Sequence, residues 1–403
     1  MLLNCACKYS VFSMDTTQFV TRSIVNGNSL RPFFVKLDKI NKQKLQIIHW
    51  GDSHIQMGYF AKTFRQGLDS LYGVTGYGST FPYRLAKYNP FHSFTRVNSG
   101  QWIGGNILKK DLNHLSGITG FWGTTLDSSA SIEFGLRSMP MTITGYNQVT
   151  VFYQMDEKST LFFKAVNSLI DTSIYHLPVL SETKKIDSEY GTYYSTKLLF
   201  DGDIDRIGID IKNTHPVNGF TVHGAFFEKA VNYGLVYNNC AVGGAQFNSQ
   251  VDNGPLSLLQ AKSVNPDLII LSFGSNESYL PEFNDSMYRA MIRNYLKKIK
   301  SEIPDASILL TGPPDTRSKN RYPRNTASIC SILQEIALLD GYAYFDFRKA
   351  MGGDGSILAW LKKGWASTDK LHFTPAGYSI QANWLISALN NEYSRYKETN
   401  THE

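Results

Sequence analysis

The sequence predicts an α/β fold with a mostly parallel sheet, interrupted by an inserted segment of antiparallel β structure. Three observations carry this. Strand-length apolar runs alternate with amphipathic helical stretches toward both ends of the chain, the pattern of βα units. Between about residues 82 and 234 helical periodicity gives way to short period-two runs separated by Gly, Asn and Asp. Two of the apolar runs, far apart in sequence, stop at a glycine followed directly by small polar residues. In an open parallel sheet such strand ends face the crevice where ligands bind.

In chain order, residues 1–43 read as a polar lead-in with a turn at Asn26-Gly27-Asn28. Leu45-Gln46-Ile47-Ile48-His49-Trp50 is the first buried strand, stopped by Gly51. A helix is predicted over 55–72, with Ile55, Phe60, Phe64, Leu68 and Leu71 on one face. Gly73-Val74-Thr75-Gly76-Tyr77-Gly78 has the look of a nucleotide loop but follows a helix and opens none, so it reads as a connector. Residues 44–84 form the first part of the α/β unit, 85–230 the β insertion and 231–395 the second part.

Within the insertion, 141–144, 149–153, 160–163 and 206–211 are the clearest alternating runs, the signature of an antiparallel sandwich or jelly roll. Residues 219–224 and 234–239 read as strands re-entering the main sheet. Strands over 267–273, 307–311 and 342–346 then alternate with helices over 284–301 and 327–339. Thr374-Pro375 opens the last helix, with Pro where a missing N–H does no harm. The polar tail 391–403 is expected to fray.

Composition bounds the class. Of 403 residues, 42% are hydrophobic and 18% charged, which describes a globular chain long enough for two core-forming units. Aromatics reach 13%, which suits strands and sugar-contacting surfaces alike. The net charge of +6 is spread without a basic block, so nucleic acid is not an expected partner. No apolar run is long enough to span a bilayer. Four cysteines, Cys5, Cys7, Cys240 and Cys330, are too few and scattered for a disulfide scaffold. Cys5 and Cys7 have no second ligand pair nearby, so no metal site is expected there. Residues 1–13 lack the basic and apolar regions of an export signal.

The chemistry gathers at three places. Gly51-Asp52-Ser53-His54 places a serine at the turn from a buried strand into a helix, where a hydroxyl can face a cleft and helix N–H groups can face an anion. Alone, this is also the pattern of a turn and helix cap. Gly274-Ser275-Asn276-Glu277 follows the strand over 267–273, and Asp369-Lys370-Leu371-His372 precedes the last helix. On spacing alone the Asp–His pair reads as a cap or a solvated pair.

Taken together and in this order, the three motifs resemble blocks one, three and five of the SGNH (GDSL-like) hydrolase superfamily. Asn239-Cys240-Ala241-Val242-Gly243-Gly244-Ala245 is the candidate for block two. The resemblance implies a flavodoxin-like hydrolase with Ser53 as nucleophile, His372 as its base and Asp369 orienting the imidazole. It also implies an oxyanion hole formed by the Ser53 N–H, a block-two glycine N–H and the Asn276 side-chain amide. Gly244 is favoured over Gly243, because Gly244-Ala245 aligns with the Asn-Gly-Ala ending of similar proteins. Gly243 then stands where they carry Asn. Asp52, His54, Gly243 and Glu277 are expected around this machinery, Asp52 as a turn-stabilising group.

Gly-Asp-Ser-His, Gly-Gly-Ala, Gly-Ser-Asn-Glu and the β insertion further resemble peptidoglycan O-acetylesterases, which carry an inserted carbohydrate-binding-like β domain. That resemblance implies an O-acetylated glycan substrate, the O-acetyl of N-acetylmuramic acid, and a periplasmic or exported, monomeric enzyme without metal or cofactor. Two other readings stay open: an acetyl esterase acting on acetylxylan or an exopolysaccharide, and a non-catalytic glycan-binding protein on the same scaffold.

Overall fold

The run ending at Gly51 lies in the strand Lys44–Gly51. Gly234–Asn239 pairs parallel on one side of it and Leu268–Ser272 on the other. Ser307–Gly312 and Ala343–Asp346 extend the parallel pairing outward. Counted along the chain, these five strands lie in the spatial order 2-1-3-4-5. Ile47, Ile48, Leu235, Val236, Ile269, Ile270, Leu309 and Leu310 are fully enclosed, as expected of parallel strands covered on both faces. The order reverses between Lys44–Gly51 and Leu268–Ser272, so a crevice opens beyond the carboxyl ends of these two strands. This computed structural model describes residues 22–111, 113–137, 145–168, 170–212, 219–318 and 322–400. The alternating run 141–144, Cys5 and Cys7 lie outside them, as do residues 1–13.

The sheet does not stop at the parallel strands, and the glycine-rich stretch is the reason. Instead of a connector, it forms the strand Val74–Thr80, buried at every position. It pairs parallel to Gly234–Asn239 and antiparallel to Phe220–Glu228. The sequence reading missed it because glycines normally weaken strands. Here they permit close approach: a Cβ on Gly78, at φ +86°, would lie 2.4 Å from the Tyr237 carbonyl oxygen. Gly78→Ala is therefore expected to destabilise the protein by about 2–4 kcal/mol, from left-handed strain and overpacking together. A melting temperature equal to wild type would contradict this.

Through Phe220–Glu228 the inserted strands join the same sheet. Gln148–Met155, Tyr193–Leu199 and Leu180–Ile186 follow in antiparallel order. Phe121–Thr125 pairs with the start of Phe220–Glu228 and carries Ile103–Asn106 at its edge. The result, among the described residues, is a mixed sheet of 12 strands, where the sequence reading expected a mostly parallel one. Among the described residues, a separate antiparallel sheet of five strands runs in the order Ser93–Ser99, Ser129–Leu136, Arg206–Lys212, Thr160–Asn167, Asp171–His176. The rings of Tyr153 and Phe163, one from each sheet, approach to 6.2 Å.

Three other elements depart from the sequence reading. The predicted helix over 55–72 is two helices, Ser53–Gln56 and Tyr59–Tyr72, because Gly58 turns left-handed between them. The polar lead-in contains the helix Arg31–Leu37, which buries Phe33, Phe34 and Leu37. The tail does not fray at 391: the last helix runs Pro375–Asn400. Tyr393 and Tyr396 hold it by packing on Phe34, and the Tyr393 hydroxyl donates to Asp38. Those contacts join segments more than 350 residues apart, which a local reading of polarity does not show. Among the described residues no helix is long and apolar enough to cross a membrane.

Candidate active site

Gly51 ends its strand, and Asp52 then caps the helix Ser53–Gln56 by accepting the His54 N–H at 3.0 Å. This sharp turn delivers Ser53 to the crevice. His372 arrives from the opposite end of the chain, on the loop before Pro375–Asn400. Its Nε2 lies 3.1 Å from the Ser53 Oγ, and its Nδ1 lies 2.8 Å from Asp369 Oδ2. The other Asp369 oxygen accepts the backbone N–H groups of Leu371 and His372, at 2.9 and 3.0 Å. Lys370 takes a left-handed conformation, φ +58°, to close this tight turn. Burial alone would raise the Asp369 carboxyl, but the hydrogen bonds from His372 and Leu371 outweigh it and hold it below the usual carboxylate range. Asp369 thus stays ionised beside the ring it orients.

Block two reaches the serine from Gly234–Asn239. The Gly243 N–H donates to Gln56 Oε1 at 2.7 Å. The N–H groups of Ser53 and Gly244 donate to no acceptor among the described residues. Gly244 is left-handed, φ +86°, and a Cβ placed on it would meet the Leu108 side chain at 3.4 Å. Asn276 follows Leu268–Ser272, and its Nδ2 spends one hydrogen on the Ala245 carbonyl at 2.9 Å. The second Nδ2 hydrogen remains for a ligand.

Two buried carboxyls fasten these loops. Glu277 accepts the N–H of Phe247 at 2.8 Å and of Gly274 at 3.1 Å, tying block two to block three. Burial pushes its carboxyl up to about 7, opposed by those N–H groups and reinforced by the nearby Asp52. Asp52 is likewise raised by burial, to about 6, against the pull of the His54 N–H, the Ser275 hydroxyl and His372. His54 lies behind the cleft wall, its ring 5.7 Å from that of His372 and its Nδ1 3.3 Å from the Tyr378 hydroxyl. Burial, with the neighbouring His372, lowers His54 to about 3, so it stays neutral there.

Sequence reasoning did not single out Gln56, Tyr378 or Leu108. Gln56 was within reach: three residues after Ser53 on a helix, it had to share the serine's face. Tyr378 and Leu108 reach the site only through tertiary packing.

These buried groups set a pH dependence of stability. His49, His54 and His223 are each moved by burial from 6.5 to about 3. Between those values the unfolded chain binds more protons than the folded one, so stability falls as pH falls. Asp52 and Glu277 act oppositely, losing stability as pH rises from about 4 to their raised values of about 6 and 7. Three larger displacements outweigh two smaller ones. The melting temperature is expected to fall steadily from pH 7 to pH 4 by scanning fluorimetry, and a flat or rising profile would contradict the assignment.

A parallel sheet ordered 2-1-3-4-5, with a serine after its first strand, an asparagine after its third and an Asp–His pair before the last helix, is the fold of the GDSL-like (SGNH) acyl hydrolases. Comparison with known proteins bears out that resemblance. Residues 216–380 match the model of the GDSL-like Lipase/Acylhydrolase family, a span holding Gly244, Asn276, Asp369 and His372 but not Ser53. Among solved structures the chain is similar to one described as "Peptidoglycan O-acetylesterase in action, 5 min", with a TM-score of 0.70 and 18% identity over 92% of this chain and 99% of the other. A lipase/acylhydrolase from Enterococcus faecalis matches over 39% of this chain and 77% of its own, at 18% identity and a TM-score of 0.32. The acetyl xylan esterase AlAXEase matches over 38% and 80%, at 18% identity and a TM-score of 0.31. No curated protein matches the sequence.

Proposed function

We propose that this protein is a serine esterase that removes O-acetyl groups from a carbohydrate polymer, with O-acetylated peptidoglycan as its substrate. The observation that carries the reading is the continuous chain Ser53 Oγ–His372–Asp369 at the crevice of the switch point. His372 takes the Ser53 proton as Oγ attacks the acetyl carbonyl, and ionised Asp369 stabilises the imidazolium. The Ser53 N–H, the Gly244 N–H and the Asn276 amide receive the oxyanion. His372 then returns the proton to the departing sugar hydroxyl. Water, activated by the same ring, releases acetate and restores Ser53.

The side chains of His372 and Asp369 are 27% and 49% exposed, which favours a polymer over an engulfed lipid. The fold shared with a peptidoglycan O-acetylesterase over nearly the whole chain supports the choice of polymer. On this reading the inserted strands serve as a carbohydrate-binding-like β module, and the protein acts outside the cytoplasm where its polymer lies. Acetate release should be Ser53-dependent and greater from O-acetylated peptidoglycan than from acetylated xylan. Release mainly from xylan would keep the chemistry and reject the wall substrate.

A further inference from the structure

Val242-Gly243-Gly244-Ala245, the end of block two, is a tight turn. The Ala245 N–H donates to the Val242 carbonyl at 3.0 Å, which closes a β-turn with the two glycines at its centre. Gly244 is left-handed at φ +86° and Gly243 is not, which makes the turn type II. Types I and II differ by turning the central peptide over, so that its C=O and N–H exchange sides. Here that peptide consists of the Gly243 carbonyl and the Gly244 N–H. With glycine at both central positions, the backbone can adopt either state at little cost. The Gly244 N–H faces the proposed oxyanion site in one state and turns away from it in the other.

Two side chains from elsewhere in the chain grip Gly243 on either side. Gln56 Oε1 accepts the Gly243 N–H at 2.7 Å. The Tyr88 hydroxyl donates to the Gly243 carbonyl, the oxygen of the central peptide, at 3.4 Å. Both side chains are anchored. Gln56 lies on the short helix that Ser53 opens. The Tyr88 N–H bonds the Tyr83 carbonyl at 3.0 Å, and its ring meets the buried Phe121 ring edge-on at 5.5 Å between centres. The grip is close to the nucleophile. A Cβ on Gly243 would lie 3.6 Å from the Ser53 Cβ and 2.5 Å from Gln56 Oε1, so a side chain there would displace the Gln56 amide.

We propose that Gln56 and Tyr88 are positioning residues that hold this peptide in the state presenting the Gly244 N–H to the oxyanion. Tyr88 follows the strand Val74–Thr80 and belongs to the segment leading to the antiparallel strands. On this proposal that segment helps to shape the oxyanion hole. The proposal rests on the esterase reading.

The test pairs kinetics with a spectroscopic reading. Gln56→Met keeps the length of the side chain but removes the acceptor, and Tyr88→Phe removes only the hydroxyl. On p-nitrophenyl acetate, Gln56→Met is expected to lower kcat about tenfold and the longer Tyr88 contact to be worth about threefold, with KM within about twofold of wild type. The double variant should lose well short of the product of the two, because both side chains act on one turn. Val242-Gly243 is the one Val-Gly pair in the sequence, so carbonyl-13C valine with 15N glycine isolates the Gly243 amide by NMR. Its exchange with solvent should be slow in wild type and about tenfold faster or more in Gln56→Met. Unaltered melting temperatures certify that the variants fold. An unchanged kcat in Gln56→Met, a loss carried by KM, losses that multiply in full, or an unchanged Gly243 exchange rate would overturn the proposal. A wild type without Ser53-dependent hydrolysis would overturn the esterase reading and the grip's purpose together, whereas hydrolysis that both variants leave intact would overturn the grip alone.

Discussion

Ser53→Ala and His372→Ala are each expected to lower kcat for acetate release by about 10⁴-fold or more, with the melting temperature unchanged. The magnitude follows from the way triad members act as a unit: without the attacking oxygen or its base, only binding and oxyanion stabilisation remain. The unchanged stability follows from the surroundings. The Ser53 hydroxyl's hydrogen bond is to His372, and His372 is part-exposed, so neither truncation opens a core cavity or strands a buried charge. The double variant should be no slower than either single one. Turnover near wild type in either purified protein would remove that residue from the mechanism.

Asn276→Ala is expected to lower kcat by about 10²–10³, with a smaller change in KM. One hole donor is worth about 2.7–4 kcal/mol in the transition state. The same side chain bonds the Ala245 carbonyl, so its loss also loosens the Gly244 loop whose N–H completes the hole. Glu277, which holds that loop from the other side through Phe247, limits the disturbance. A rate within twofold of wild type would place Asn276 outside the hole.

The parallel core was legible because its strands are covered on both faces, and such strands spell out their burial as unbroken apolar runs: Leu45–Trp50 and Leu268–Ser272 could hardly be anything else. The candidate site was legible for a related reason. Chemistry of this kind needs particular residue types at fixed places in the fold: Ser53 and Asn276 follow strand ends, and Asp369 and His372 lie in order on the loop before the last helix. Two glycines that the sequence leaves open as hole donors differ in their hydrogen bonding. Gly243 spends its N–H on Gln56, whereas the Gly244 N–H has no acceptor among the described residues.

What stayed hidden depends on long-range packing. Val74–Thr80 is a strand because its glycines let Tyr237 and Phe227 approach, a property of neighbours rather than of the segment. The joining of the inserted strands to the main sheet passes through that same segment and Phe220–Glu228, so missing one concealed the other. The last helix outlasts its polar sequence because Phe34 and Asp38, from the other end of the chain, meet Tyr393.

The central claim is that Ser53 is the nucleophile, and covalent labelling tests it most directly. Wild-type protein treated with a fluorophosphonate is expected to gain one adduct by intact mass, located on Ser53 by peptide sequencing and absent from His372→Ala, whose serine lacks its base. A wild-type protein that takes no adduct, or takes it on another residue while esterase activity is lost, would contradict the account.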